Sequence, residues 1–322
     1  MELGSAHARV GFVGNPSDGY GGKVLAFALA DFAAHVRVES ARAFSAASSP
    51  PASTLDALLD QLAAARTRPD EASLLLAAIA ELADRAATRR VRPFRVTLTT
   101  DIPRQVGLAG SSAIVIATLR ALAPRFGLVI APNELAQLAL HAETERLGIA
   151  AGPQDRVIQA YGGLRFMDFS AARERGRGLD PDLLPPMFVA WQPGPGAPSG
   201  VTHDDLRRRF EAGDRLVRTA MRRFAEFADA AVEALEADDR ELLIEILNAN
   251  FDTRASICAV GARDRELVDL GRSFGAGVKL CGSGGAVVGV VRDADELPAI
   301  EAAYAAANHG TLRPTVARTI EA

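Results

Sequence analysis

Cysteine is scarce in this chain. Cys258 and Cys281 are the only two among 322 residues, too few for a disulfide framework. No Cys or His spacing matches a zinc site. The N-terminus, Met1 to Asn15, has no basic region followed by an apolar stretch, so no secretory signal is expected. The longest apolar runs fall short of a membrane span and carry charges such as Glu81 and Arg120. An excess of positive charge is also missing: the formal net charge is -4, which argues against nucleic acid or an anionic membrane as the main partner. Two familiar nucleotide signatures are absent too. No Gly-Lys pair is followed by Ser or Thr, so there is no Walker A loop. The run Gly282-Ser283-Gly284-Gly285-Ala286-Val287 lacks the third glycine of a dinucleotide fingerprint. These absences predict a cytoplasmic protein whose phosphate loop, if it has one, is of another kind.

What is present is an ordinary globular composition, 48% hydrophobic and 24% charged, long enough for one large or two moderate domains. Short strands are predicted at 8–14, 24–30 and 35–39, and a β-branched, alternating strand at 94–103 that stops at Pro103. Amphipathic helices are predicted at 55–66 and 71–88, where Leu and Ala recur at three- and four-residue steps. A glycine turn feeds a helix ending near Gly127, and a second helix over 133–148 has Asn133 as its N-cap. Another helix starts at Pro153, in the run 153–163, and a strand follows at 164–169. The polar, charged stretch 169–186, flanked by Gly and Pro, reads as a domain boundary, giving domains of 1–180 and 181–322. Beyond it the pattern predicts a strand at 186–193 and one long helix over 204–236 with Leu206, Phe210, Val217, Met221, Phe224 and Ala228 on one stripe. Helices at 239–251 and 263–273, two strands around a glycine turn at 277–291, a closing helix and an edge strand at 311–317 complete the chain. The mixed order predicts an α+β fold rather than a simple parallel sheet.

Four segments carry possible chemistry. The first is Pro103 to Ala113, containing Gly107-Leu108-Ala109-Gly110-Ser111-Ser112. Its glycines permit a tight turn and close approach of backbone to a ligand. The serines fall where a helix begins, and free N–H groups there attract phosphate; the plain alternative is a serine-capped helix start. The second is His141 to Arg156, in which Glu143 precedes Asp155 by twelve residues. Phosphoryl transfer uses one carboxylate to hold Mg²⁺ and another to accept or orient a hydroxyl proton. The plain alternative is that Glu143 and Glu145 are solvated helix charges and Asp155 a helix cap. The third is Arg9 to Lys23, where a strand delivers an arginine to a loop offering Asn15, Ser17, Asp18, Tyr20 and Lys23, either a sugar-binding loop or a surface hairpin. The fourth is the Cys281 to Ala286 turn, which packs against a ligand or against the first phosphate loop, or is an ordinary β-turn. Cys281 has no evident histidine partner and is expected to be a buried cysteine, not a nucleophile.

Together these segments resemble the GHMP kinases, the superfamily of galactokinase, homoserine kinase, mevalonate kinase and phosphomevalonate kinase. Pro103 to Ala113 is similar to the family's phosphate loop, Arg9 to Asn15 to its N-terminal motif, and Lys279 to Val288 to its C-terminal glycine motif, in the family's order. The stretches Asn15 to Lys23, Pro103 to Val115, Gly152 to Ser170 and Gly282 to Val288 resemble the glucuronokinase branch known from plants, with similarity from about residue 9 to 291. The resemblance implies a two-domain fold, an N-terminal α/β sandwich and a ferredoxin-like C-terminal domain, with the site in the cleft between them. It implies an ATP- and Mg²⁺-dependent sugar 1-kinase, monomer or homodimer, acting on a small sugar acid, with D-glucuronate the best candidate. By position it assigns Asp155 and Arg9 to catalysis, and residues 107–112 to the ATP phosphates. Ser112 and Glu143 fall to Mg²⁺, and Asn15, Asp18, Gly19, Tyr20, Lys23, Gly152, Arg254 and Gly284 to substrate. Galactokinase has Glu-His-Thr-Asp where this chain has Asn15-Pro16-Ser17-Asp18. One negative charge fewer suits a substrate that carries a carboxylate. Lys23, Arg156 or Arg254 could meet that carboxylate, and the sequence does not choose among them. Kinases for other sugars or for mevalonate-like alcohols, and a sensor that no longer turns over, remain as alternatives. The joint presence of Ser112, Glu143 and Asp155 speaks against the sensor.

Overall fold

Glu2–Val13 and Lys23–Ser40, buried alternately over 2–7 and 34–39 and continuously over 8–13 and 24–29, form one long antiparallel pair in the computed structural model, which describes residues 1–65, 70–88, 90–171, 175–194 and 200–320. The sequence suggests two short strands within 24–39 because residues 30–32 break the alternation. In the fold, Leu29 pairs with Ala8 and Ala33 with His7, so these three residues bulge out and the strand resumes beyond them. Phe94–Thr100 and Leu164–Asp168 also pair with the long strand, Ser45–Ala46 pairs beyond the first of these and Arg175–Leu179 beyond the second. Helix Gly110–Leu122 packs directly on the opening strand: a Cβ on Gly4 would lie 2.1 Å from the Ala117 carbonyl oxygen.

The second sheet is antiparallel throughout, ordered Gly310–Leu312, Met187–Trp191, Ala286–Val290, Gly277–Leu280. Helices Arg240–Ile257 and Ala262–Arg272 pack against Gly277–Leu280. One apolar core runs through both layers, joining Phe12, Phe27 and Ile79 with Leu247, Val288 and Val290. The two sheets and the helices packed on them bear out the expected α+β class.

Several boundaries differ from the sequence pattern for local reasons. The 204–236 helix is two helices, Gly200–Glu211 and Arg215–Glu236. Gly213 takes φ +85°, and the Asp214 side chain accepts from the Leu216 and Val217 N–H groups, which starts the second helix. Asn133 is not a cap: Pro132 occupies the first turn and Ala131 precedes it. That helix ends at His141 and passes into a wider π-helical turn, Ala142–Arg146. The segment 55–66 splits into Leu55–Leu59 and Leu62–Ala65, and its last residue lies outside the described residues. The expected strand at 311–317 divides at Pro314. Gly310–Leu312 joins the second sheet, whereas Ala317 N–H donates to Ala28 O at 2.8 Å in the first. The stretch 169–186 contains the edge strand Arg175–Leu179, so the first sheet ends at Leu179 and the second begins at Met187. No helix among the described residues is long and apolar enough to cross a membrane.

Candidate active site

The phosphate-loop candidate turns through three left-handed residues, Gln105 (φ 57°), Gly107 (φ 74°) and Ala109 (φ 61°), before the helix starts at Gly110. Gly107 is needed twice over: beyond its positive φ, a Cβ there would lie 2.7 Å from the Gly284 carbonyl oxygen. The two glycine turns thus touch across the cleft. Gly110 is not left-handed, and a Cβ on it would meet nothing closer than Ile102 Cγ2 at 3.5 Å. The helix's first backbone bond runs from Ala113 N–H to Ala109 O at 3.2 Å, so the N–H groups of residues 110–112 lie ahead of the helical ladder. Ser111 faces the cleft. Ser112 is buried and its hydroxyl donates to Ala109 O at 3.2 Å.

Opposite the loop, helix Gln154–Tyr161 presents Asp155 in its first turn. Arg9 Nε donates to Asp155 Oδ1 at 2.6 Å and Arg9 Nη1 to Gly107 O at 2.6 Å, so one guanidinium ties the carboxylate to the loop. A cleft of about 330 Å³ opens here, walled by Arg9, Asp18, Tyr20, the 107–111 backbone and Asp155. Asn15, Gly19, Gly152 and Arg254 also line it, whereas Lys23, Ser112, Glu143 and Gly284 do not.

Asp18 is buried and accepts from the Gln154 N–H at 3.2 Å. Burial, reinforced by the neighbouring Asp155 charge, pushes its pKa up to about 6. Gly152 sets its position, because a Cβ there would lie 2.0 Å from Asp18 Oδ2. Gly152→Ala is therefore expected to displace the carboxylate and leave the backbone in place. The acceptor KM should rise by about tenfold or more through the lost hydrogen bonds while the ATP KM is unchanged, as read by steady-state kinetics.

Glu143 is fully buried, projecting from the π-helical turn. Arg156 Nε donates to Glu143 Oε2 at 2.7 Å, and Arg156 Nη1 to Gly152 O at 2.8 Å. Burial opposes the Arg156 charge, yet Glu143 and then Asp155 lift its pKa above the usual value. Glu143 Oε1 is buried without a hydrogen-bond partner among the described residues. An orphaned carboxylate oxygen is a place a cation can complete, and carboxylate and hydroxyl oxygens are the ligand types Mg²⁺ takes. The described residues hold no cluster of three or more His, Cys, Asp or Glu able to bind a metal, so phosphate and water oxygens would have to supply the remaining ligands.

Of the three cations proposed for a substrate carboxylate, two are engaged with protein acids. Lys23 Nζ pairs with Asp229 Oδ2 at 2.7 Å away from the cleft wall, and Arg156 is held by Glu143. Arg254, also buried, donates to Gly282 O and Ser283 O at 2.9 and 3.0 Å and so braces the second glycine turn. Asp264 completes that brace by accepting from Gly285 N–H at 2.7 Å.

Sequence reading missed Lys279. It is buried, with Nζ donating to Gly11 O, Asn15 Oδ1 and Leu280 O, each at 2.7 Å, and burial pulls its pKa down to about 7. A lysine inside an otherwise apolar strand, Gly277–Leu280, was the available signal. Cys281 is buried and its thiol is pushed up to about 12, as befits a core residue.

A glycine loop at a helix start, a carboxylate tied to it by an arginine, and a second glycine turn against it define a small-molecule kinase cleft. Comparison with known families agrees. The family model for the GHMP kinases N terminal domain matches residues 73–163, and that for the GHMP kinases C terminal matches residues 231–310. The chain belongs to the GHMP kinases and is an ATP-dependent sugar kinase. It is 35% identical over 301 residues to Glucuronokinase 1 of Arabidopsis thaliana, covering 87% of this chain and 82% of that protein. In fold it is similar to a crystal structure of mevalonate kinase, with TM-score 0.79 and 16% identity over 100% of both chains. It is also similar to Lactococcus lactis galactokinase complexed with galactose, with TM-score 0.77 and 16% identity over 98% of this chain and 93% of that one.

Proposed function

We propose that this kinase transfers the γ-phosphate of ATP to the anomeric hydroxyl of D-glucuronate, giving the 1-phosphate and ADP. The observation that carries the chemistry is the Arg9 bridge between Asp155 and the Gly107 carbonyl, which fixes a carboxylate beside a loop suited to phosphate. The similarity to Glucuronokinase 1 over 87% of the chain supports the choice of acceptor. Asp155 accepts or orients the proton of the attacking hydroxyl, and Arg9 holds it in place and balances its charge. The amides of residues 107–112 stabilise charge on the transferring phosphoryl group. Asp18, with Asn15, Gly19, Tyr20 and Gly152, orients the sugar. Glu143 and Ser112 would hold Mg²⁺, which supplies neutralisation of phosphate charge when bound. Residues 1–180 form the ATP-binding domain and 181–322 the domain that closes the cleft with the 282–285 turn. The working enzyme is read as a cytoplasmic monomer or homodimer with no nucleic-acid or membrane partner.

A coupled ADP-release assay tests the acceptor. D-Glucuronate should give a kcat/KM well above those for D-galacturonate, D-galactose and mevalonate; an equal or better value for any of these would overturn the assignment.

Asp18 sets a pH dependence. Its folded pKa of about 6 lies above the ordinary 3.8, so the fold favours the protonated form. The associated stability is full below pH 3.8 and is lost as pH rises through about 6. Sugar binding follows the opposite sense, because only the ionised carboxylate accepts from two hydroxyls. Between pH 5 and 7 the acceptor KM is expected to fall by about tenfold, in line with the fraction ionised, and Asp18→Asn should flatten that profile.

A further inference from the structure

Among the described residues five arginines line the cleft, and three of them face a carboxylate. Arg9 is held by Asp155, Arg156 by Glu143, and Arg104 reaches Glu71 at 3.4 Å. Two arginines on the wall have no carboxylate partner among the described residues. Arg254 is buried, and both its Nη groups are spent on carbonyls of the glycine turn. Arg207 is exposed on the cleft wall and makes no hydrogen bond or ion pair among the described residues.

The seating of Arg207 places it on the acceptor side. Its helix, Gly200–Glu211, is anchored one residue before it by buried Leu206 and three residues after it by Phe210, whose ring lies 4.8 Å from that of Tyr20. Arg209 fixes the same turn by donating to Ile257 O at 2.7 Å. Tyr20 and Asp18 belong to the sugar loop, and Arg207 is the charged group with the largest influence on the Tyr20 hydroxyl. The backbone beneath Arg207 is thus pinned while its guanidinium remains available, whereas the guanidinium of Arg254 on the same cleft is held by the glycine turn.

We propose that Arg207 receives the carboxylate of the sugar acid and so discriminates uronates from neutral hexoses. A planar guanidinium can meet a carboxylate through two parallel N–H···O bonds, and neither Lys23 nor Arg156 is available for that contact. This assignment rests on the sugar-acid reading above and adds the residue that enforces it.

The test compares wild type, Arg207→Gln and Arg207→Lys on D-glucuronate and D-glucose at one pH, with the ATP KM as a control for folding. Arg207→Gln should raise the glucuronate KM by about 30-fold, consistent with loss of a charge-assisted contact, with kcat within about threefold and the glucose kinetics unchanged. Arg207→Lys should recover part of the loss, because charge remains but the paired geometry does not. A glucuronate KM unchanged in Arg207→Gln would overturn the assignment. An equal KM increase for glucose would do so too, because the contact would then not be to the carboxylate. Wild-type enzyme inactive on glucuronate would instead overturn the sugar-acid reading itself, so the two failures are separable.

Discussion

Asp155→Asn should reduce kcat by about a thousandfold or more, within the range that a positioned base contributes. The substitution keeps size and shape but removes the negative charge that Arg9 faces at 2.6 Å. Arg9 also donates to Gly107 O, so the phosphate loop keeps its tie to the arginine. ATP affinity should therefore change little, measured by equilibrium nucleotide binding beside single-turnover kinetics. Retention of a near wild-type rate would remove Asp155 from the chemistry. Loss of ATP binding together with rate would make it a structural support of the loop instead.

Arg156→Met is expected to destabilise the fold by ~3–5 kcal/mol, because it leaves a buried carboxylate without its counter-charge. Glu143 is fully buried and Arg156 is 3% exposed, so solvent cannot screen the loss. Urea unfolding at pH 7 reads the effect as a lower midpoint. Adding Glu143→Gln should restore part of the stability, since the two groups are in contact and their effects are not additive. A midpoint unchanged in the single variant would mean that the pair contributes nothing as an ion pair.

The fold class was legible because apolar and polar residues alternate in strands such as 94–98 and Leu and Ala recur at three- and four-residue steps over 71–85, a helix buried on every side over 72–83. Strand length was not, since the bulge at 30–32 breaks the period while the pairing continues. Nor was the break at Gly213, which interrupts a stripe of apolar residues that both flanking helices bury. In the site, the phosphate loop stood out by its run of glycines and serines, whereas the roles of Arg9 and Asp155 came from the resemblance to the GHMP kinases. What could not be read was pairing across the chain. Arg9 and Asp155 are 146 residues apart, and Lys279 reaches Asn15 over 264. The same limit hid the fate of each candidate cation. Lys23 is taken up by Asp229 and Arg156 by Glu143, while Arg207 gave no sign in sequence because its significance lies in facing the cleft.

The most direct measurement is the position of the new phosphate. Purified enzyme, ATP, Mg²⁺ and D-glucuronate should give a product whose phosphorus couples to the anomeric proton in a two-dimensional phosphorus–proton NMR spectrum, in amount equal to the ADP formed. Coupling to any other ring proton, or release of inorganic phosphate alone, would contradict a cleft that directs Asp155 at the anomeric hydroxyl.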